Sequence, residues 1–122
     1  MRFVNCTKHE INVYHKGECV LHLDPCKNPA RVITHQRGYH FVNGIPIHKN
    51  PVREVINLPE PRNNTMYVVS GFTLSHCPDR DDLVAPCTSQ DSLIIDDRGN
   101  IKGVKRLVKH AKISWHNSGI VV

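Results

Sequence analysis

No run of apolar residues in this 122-residue chain approaches the ~20 needed by a membrane-spanning helix, so no such helix and no membrane partner are expected. The opening Met1-Arg2-Phe3-Val4-Asn5-Cys6 lacks the apolar core and small-residue cleavage site of a signal peptide, and a cytoplasmic protein is expected. There is no Gly-rich phosphate loop, no Gly-x-Ser-x-Gly and no His-Glu-x-x-His. Internal repeats, linkers and low-complexity stretches are also missing. The cysteines do not form an even, regular set: Cys6, Cys19, Cys26, Cys77 and Cys87 read as free thiols rather than a disulfide frame. The triplets Asn5-Cys6-Thr7 and Asn63-Asn64-Thr65 are then not read as glycosylation sites.

Acidic residues are missing from the last 22 positions, which carry Lys102, Lys105, Arg106, Lys109 and Lys112. Positions 1 to 100 sum to neutrality, so the whole formal charge of +5 sits in that terminal segment. Such a segment attracts phosphates or acidic surfaces, or it is a solubilising edge strand and tail.

What is present is ordinary globular composition, 39% hydrophobic and 22% charged, in short apolar runs broken by turn residues. That pattern favours strands over helices. Lys16-Gly17 and Asn43-Gly44 read as hairpin turns. Pro46 confines its arm to an edge or bulge. Leu58-Pro59-Glu60-Pro61 has two prolines without N–H groups and is expected to lie outside any ladder. Met66 to Val69 suits a central strand covered on both faces. Residues 71 to 76 allow one short helix. Leu93-Ile94-Ile95, the Asp96-to-Asn100 turn and Ile101 onward form another hairpin. From 101 a helix stripe also fits, but Gly103 and the Gly99-Asn100 turn favour a strand.

Several segments, in order and at similar spacing, resemble a family of small uncharacterised phage, prophage and actinobacterial proteins. Phe3-Val4-Asn5-Cys6-Thr7-Lys8-His9-Glu10-Ile11 is similar to its "N-L-T-P-H-E-I" opening, and Gly44-Ile45-Pro46-Ile47 to "G-I-P-V". Leu58-Pro59-Glu60-Pro61 with Thr65-to-Ser70 resembles "L-P-E-P…T-x-Y-I-V-S". Arg80-to-Pro86 resembles "R-x-D-L-V-x-P", and Arg98-to-Val104 a closing "G-x-I-x-G" hairpin. Cys6 stands where the family has Leu and Lys8 where it has Pro, the helix after Ser70 is shortened, and the chain past Ala111 falls outside the likeness.

Three constellations could carry chemistry. Cys6-x-x-His9 and Cys19-x-x-His22 have zinc-chelating spacing, but residues 19 and 22 of a flat strand face opposite ways, which favours a buried thiol and surface imidazoles. Asp79, Asp81 and Asp82 beside His76 and Cys77 could bind a metal or act as acid and base; the simpler reading is a turn in which Asp pairs with Arg80. Arg31, Arg53, Arg62, Arg80, Lys105 and Arg106, with Tyr14, Tyr39, Tyr67 and Trp115, could form an anion site, since Arg forks hold phosphate and aromatics stack on bases.

These readings combine into one expectation. A mostly β domain spans 1–110, as a small antiparallel, hairpin-built sheet or partly open barrel with at most one short helix. A basic, flexible tail follows at 111–122. The chain is expected to be a non-enzymatic phage-type binding protein without cofactor or metal. The resemblance, by analogy, implies an anti-defence protein sequestering a nucleotide-type immune signal, a cyclic oligonucleotide or an ADP-ribose derivative. Its expected pocket lies near the 58–61 and 80–82 loops. Arg80 and Arg62 would hold the anion, Asp81 would orient Arg80, Tyr67 or Tyr39 would meet a ring, and Lys105 and Arg106 would add charge. The alternatives are nucleic-acid binding through the basic 101–112 segment and a metal-assisted phosphodiesterase using Asp79, Asp81, Asp82 and His76. Exposed sheet edges add the expectation of a homo-oligomer.

Overall fold

Four residues carry the first hairpins. Lys16 and Gly17 have φ of 53° and 80°, and Asn43 and Gly44 have 51° and 78°. Two consecutive positive φ values make the type I′ turn that matches strand twist, so each pair folds the chain back as its sequence predicts. The computed structural model describes residues 1–110. The expected tail at 111–122, with Lys112 and Trp115, lies outside the described residues.

The chain runs through β1 (Arg2–Asn5), β2 (Ile11–His15), β3 (Glu18–Leu23), β4 (Arg31–His35), β5 (Tyr39–Val42), β6 (Ile45–His48), β7 (Val52–Ile56) and β8 (Thr65–Val68). It continues through α1 (Gly71–Ser75), β9 (Leu83–Pro86), β10 (Leu93–Ile95), β11 (Ile101–Val104) and β12 (Leu107–Val108). The fold is mostly β with one short helix, and its sheets of two to four strands do not close into a barrel. No helix among the described residues is long and apolar enough to cross a membrane.

The main sheet has the order β1-β8-β9-β12, and a second has β10-β11-β2-β3. Hairpin pairing is antiparallel throughout, but β1 pairs with β8, and β8 with β9, in parallel. A third parallel contact joins β11 to β2. Parallel neighbours need a crossover, and α1 supplies one between β8 and β9. Ser70 caps the helix by accepting a hydrogen bond from the Thr73 amide.

The alternation along β8 explains the continuous apolar run there. Tyr67 and Val69 join Leu83, Ala85, Leu74 and Cys77 in one core cluster. Val68 joins Val84, Ile11, Val13 and Val104 in the other. The strand is covered on both faces, so Met66 to Val68 are apolar or aromatic and only Thr65, at its start, is a buried polar residue. Gly103 is needed where β11 meets β2: a Cβ there would fall 2.7 Å from the Asn12 carbonyl oxygen and from Tyr14 Cε2.

The segment from 101 takes the strand form. Strand β7 is not evident from sequence, because Arg53 and Glu54 interrupt its pattern. Pairing with β4 creates it, from Arg31 opposite Ile56 to His35 opposite Val52.

Candidate functional site

Strands β1, β8 and β9 point the same way, so their C-terminal ends lie together. In open sheets with parallel strands, ligands bind beyond such ends. Here the ends open onto a groove of about 550 Å³ between the two larger sheets. That volume lies within the range of small-molecule sites. Ile11, Leu93, Ile101 and Val104 give it apolar walls; Lys102 and Glu10 bring opposite charges, and Thr7, His9, Asn12, Ser70 and Thr88 bring neutral polar groups.

The first rim is built by Asn5. Its side chain is buried, and its Nδ2 donates to the carbonyls of His9 (2.7 Å) and Asp24 (2.9 Å). Its Oδ1 accepts from the Thr7 amide (2.9 Å) and the Thr7 hydroxyl (2.7 Å). One residue thus folds the 5–9 turn and ties it to the loop after β3. The turn then places Thr7 and His9 at the groove.

The opposite rim is β11. Lys102 sits with Nζ 5.0 Å from the centre of the Tyr14 ring, an arrangement in which the ring face attracts the cation. Beside it, Asn12 donates to Glu10 Oε1 (2.8 Å) and its Oδ1 lies 2.6 Å from His22 Nδ1. His22 Nε2 lies 3.2 Å from Asp24.

The loops expected to form an anion pocket do meet, but their groups satisfy one another. Arg80 donates from Nε to Asp82 Oδ1 (2.8 Å) and from a terminal nitrogen to Asp82 Oδ2 (2.9 Å) and the Pro59 carbonyl (2.9 Å). Both side chains are about one-fifth exposed. The Asp82 hydrogen bond pushes Arg80 above its ordinary pKa, and the same bond holds the Asp82 carboxyl below its own. Tyr67 is buried, its hydroxyl donates to the Glu60 carbonyl (2.9 Å), and Arg80 lies 6.0 Å from its ring centre. Arg62, Asp79 and Asp81 are exposed on the surrounding turns. Tyr39 stands instead on the β5–β6 hairpin, stacked on His48 at 4.7 Å.

Lys105 is exposed. Arg106 reaches Asp91 (3.0 Å), whose Oδ1 accepts from the Ser89 hydroxyl (2.6 Å). Cys87 lies 3.1 Å from that hydroxyl, which lowers the thiol's pKa. His76 lies 2.9 Å from Arg53 through Nε2 and 2.8 Å from the Phe72 carbonyl through Nδ1.

Cys6 is buried, and burial pushes its pKa up to about 11. Cys19, His9 and His22 are exposed. Among the described residues, no group of three or more His, Cys, Asp and Glu side chains could hold a metal ion.

Sequence reading thus singled out Arg80 and Tyr67, which the structure brings together, placed Lys102 in the basic 101–112 segment, and did not single out Asn5, Thr7 or Ser70. No protein family, curated protein or solved structure matches the chain.

Proposed function

We propose that this chain is a non-enzymatic binding module that captures a small anionic ligand of nucleotide type in the groove at the ends of β1, β8 and β9. The observation that carries the reading is the groove's composition: apolar walls that suit a base, with the exposed side chains of Lys102, His9 and Thr88 along its lining. A cation and a few placed polar groups on an apolar surface are what orient a charged, ring-bearing ligand. Most of the lining comes from the ends of segments with phage-family likeness: Thr7 and His9 from the first, Ser70 and Pro86 from the middle two, Ile101 to Val104 from the last. Sites concentrate on loops held by a rigid scaffold.

The specific ligand proposed is a cyclic oligonucleotide or an ADP-ribose derivative, held as an immune signal withdrawn from a host cytosol. The five unpaired cysteines suit a reducing compartment. The exposed edges of β3 and β10 leave room for a homo-oligomer.

Calorimetry of the full chain against cyclic di- and trinucleotides and ADP-ribose tests this. The expected result is binding in about the micromolar range, weakened at least about tenfold by Lys102→Glu. Charge reversal at the rim turns attraction for phosphate into repulsion. Absence of binding tighter than about 1 mM across the panel overturns the reading.

A further inference from the structure

The neutral sum over positions 1 to 100 conceals an uneven distribution. No Asp or Glu occurs between Asp24 and Glu54, while Lys27, Arg31, Arg37, Lys49 and Arg53 do, along with His35, His40 and His48. The middle of this acid-free stretch is the β5–β6 hairpin. All eight residues of its two strands are exposed, so it projects from the body.

Its faces differ. Tyr39 pairs across the ribbon with His48, and Phe41 with Pro46, so these four share one face. Tyr39 is 58% exposed and Phe41 63%, the ring centres are 5.6 Å apart in an edge-to-face arrangement, and His48 stacks on Tyr39. Arg37 and Lys49 flank the hairpin's base, which is tied by the Lys49 amide donating to the Gly38 carbonyl (3.1 Å).

We propose that the β5–β6 hairpin is a docking surface for single-stranded nucleic acid. The cations of this stretch, whose nearest described acid is Glu54 against His35 (3.2 Å), attract a phosphate backbone, and adjacent exposed rings offer stacking surfaces to successive unpaired bases. Duplex bases are already stacked on one another, so the rings select the single strand. The type I′ turn and the tied base hold the ribbon in shape before binding, which lowers its ordering cost. This surface shares no residue with the groove, so either reading can fail alone.

Fluorescence anisotropy of a labelled oligothymidylate of about 20 nucleotides with the full chain tests it. Binding is expected at about 50 mM salt and is expected to fall steeply toward about 200 mM. The double variant Tyr39→Ala/Phe41→Ala is expected to weaken binding at least about tenfold. Arg37→Gln/Lys49→Gln is expected to reduce the log–log salt slope by about 1.4, from about 0.7 per lost phosphate contact. Both variants keep the parent melting temperature, because the side chains they change lie outside the core. Three outcomes overturn the proposal: no binding at low salt, binding that neither variant weakens, or Phe41-dependent capture by phosphatidylserine vesicles or self-association with no affinity for the oligonucleotide.

Discussion

Replacing Arg80 with alanine lowers the melting temperature by on the order of 10 °C and leaves groove binding intact on the folded fraction. The side chain closes the 80–82 turn with two hydrogen bonds to Asp82 and ties it to the Leu58–Pro61 segment with a third, to the Pro59 carbonyl. Its removal leaves a carboxylate that is four-fifths covered without its partner, and a carbonyl without its donor. Charged hydrogen bonds in such settings contribute about 1.5–3 kcal/mol, and stranding the partner adds to the cost. Partial solvent access reduces the total to about 2–3 kcal/mol. At roughly 4 °C per kcal/mol for a chain of this size, the shift follows. Arg80→Lys recovers only part of it, since an ammonium cannot reproduce the fork. Scanning calorimetry reads the shift. An unchanged melting temperature, or lost ligand binding without lost stability, would return Arg80 to a ligand-binding role.

The same pair sets an acid limit. Asp82 is held below its unfolded value of about 3.8 by the Arg80 hydrogen bond. A depressed carboxylate stabilises the fold fully above the unfolded value and loses that contribution as pH falls through the folded one. Stability therefore drops below about pH 4, and Arg80→Ala shows less of this drop than the parent.

Asn5→Ala is expected to cost about 3 kcal/mol and to abolish groove binding together. Four hydrogen bonds leave with one amide, and the buried Thr7 amide loses its acceptor, while the Thr7 hydroxyl keeps its contacts with His9. Each unsatisfied buried group costs about 1–3 kcal/mol, moderated where water reaches the exposed His9 and Asp24. In urea, with a slope of about 1.5 kcal/mol/M, the midpoint falls by about 2 M. Asn5→Asp keeps the acceptor but sets a carboxylate against the His9 and Asp24 carbonyls, so it does not rescue. Faster amide exchange at positions 6 to 10 accompanies the loss. A variant with the parent midpoint and protected amides would show that the 5–9 turn holds its shape without Asn5.

The features legible in the chain are those settled within a few residues. Lys16-Gly17 and Asn43-Gly44 turn because Gly takes the second positive φ without steric cost and Asn43 takes the first readily, while Lys16 takes it at some strain. The 58–61 segment stays out of the ladders because its prolines lack donors. Met66 to Val69 reads as a doubly covered strand because every side chain there is apolar. Helix α1 is short because Pro78 and the turn at 79–82 follow closely.

Other features depend on which faces bury one another across long separations. Arg53 and Glu54 give no strand period, yet β7 forms because β4 offers it a partner. Parallel pairing of β1, β8 and β9 leaves no local trace, since the same apolar run serves either direction. That pairing gathers the strand ends into a groove. The contrast between two basic residues makes the point: the sequence pointed to Arg80 for the ligand pocket and to Lys102 only as part of the basic terminal segment. Packing enclosed the first against Asp82 and Pro59 and set the second at a groove rim. Charge is a sum over the chain, but attraction for a ligand depends on what stands within a few ångströms. Turns, periodicity and composition were determined by the sequence itself; the parallel order, the groove and the engagement of Arg80 were decided by tertiary packing, because only burial brings residues so distant in the chain into each other's field.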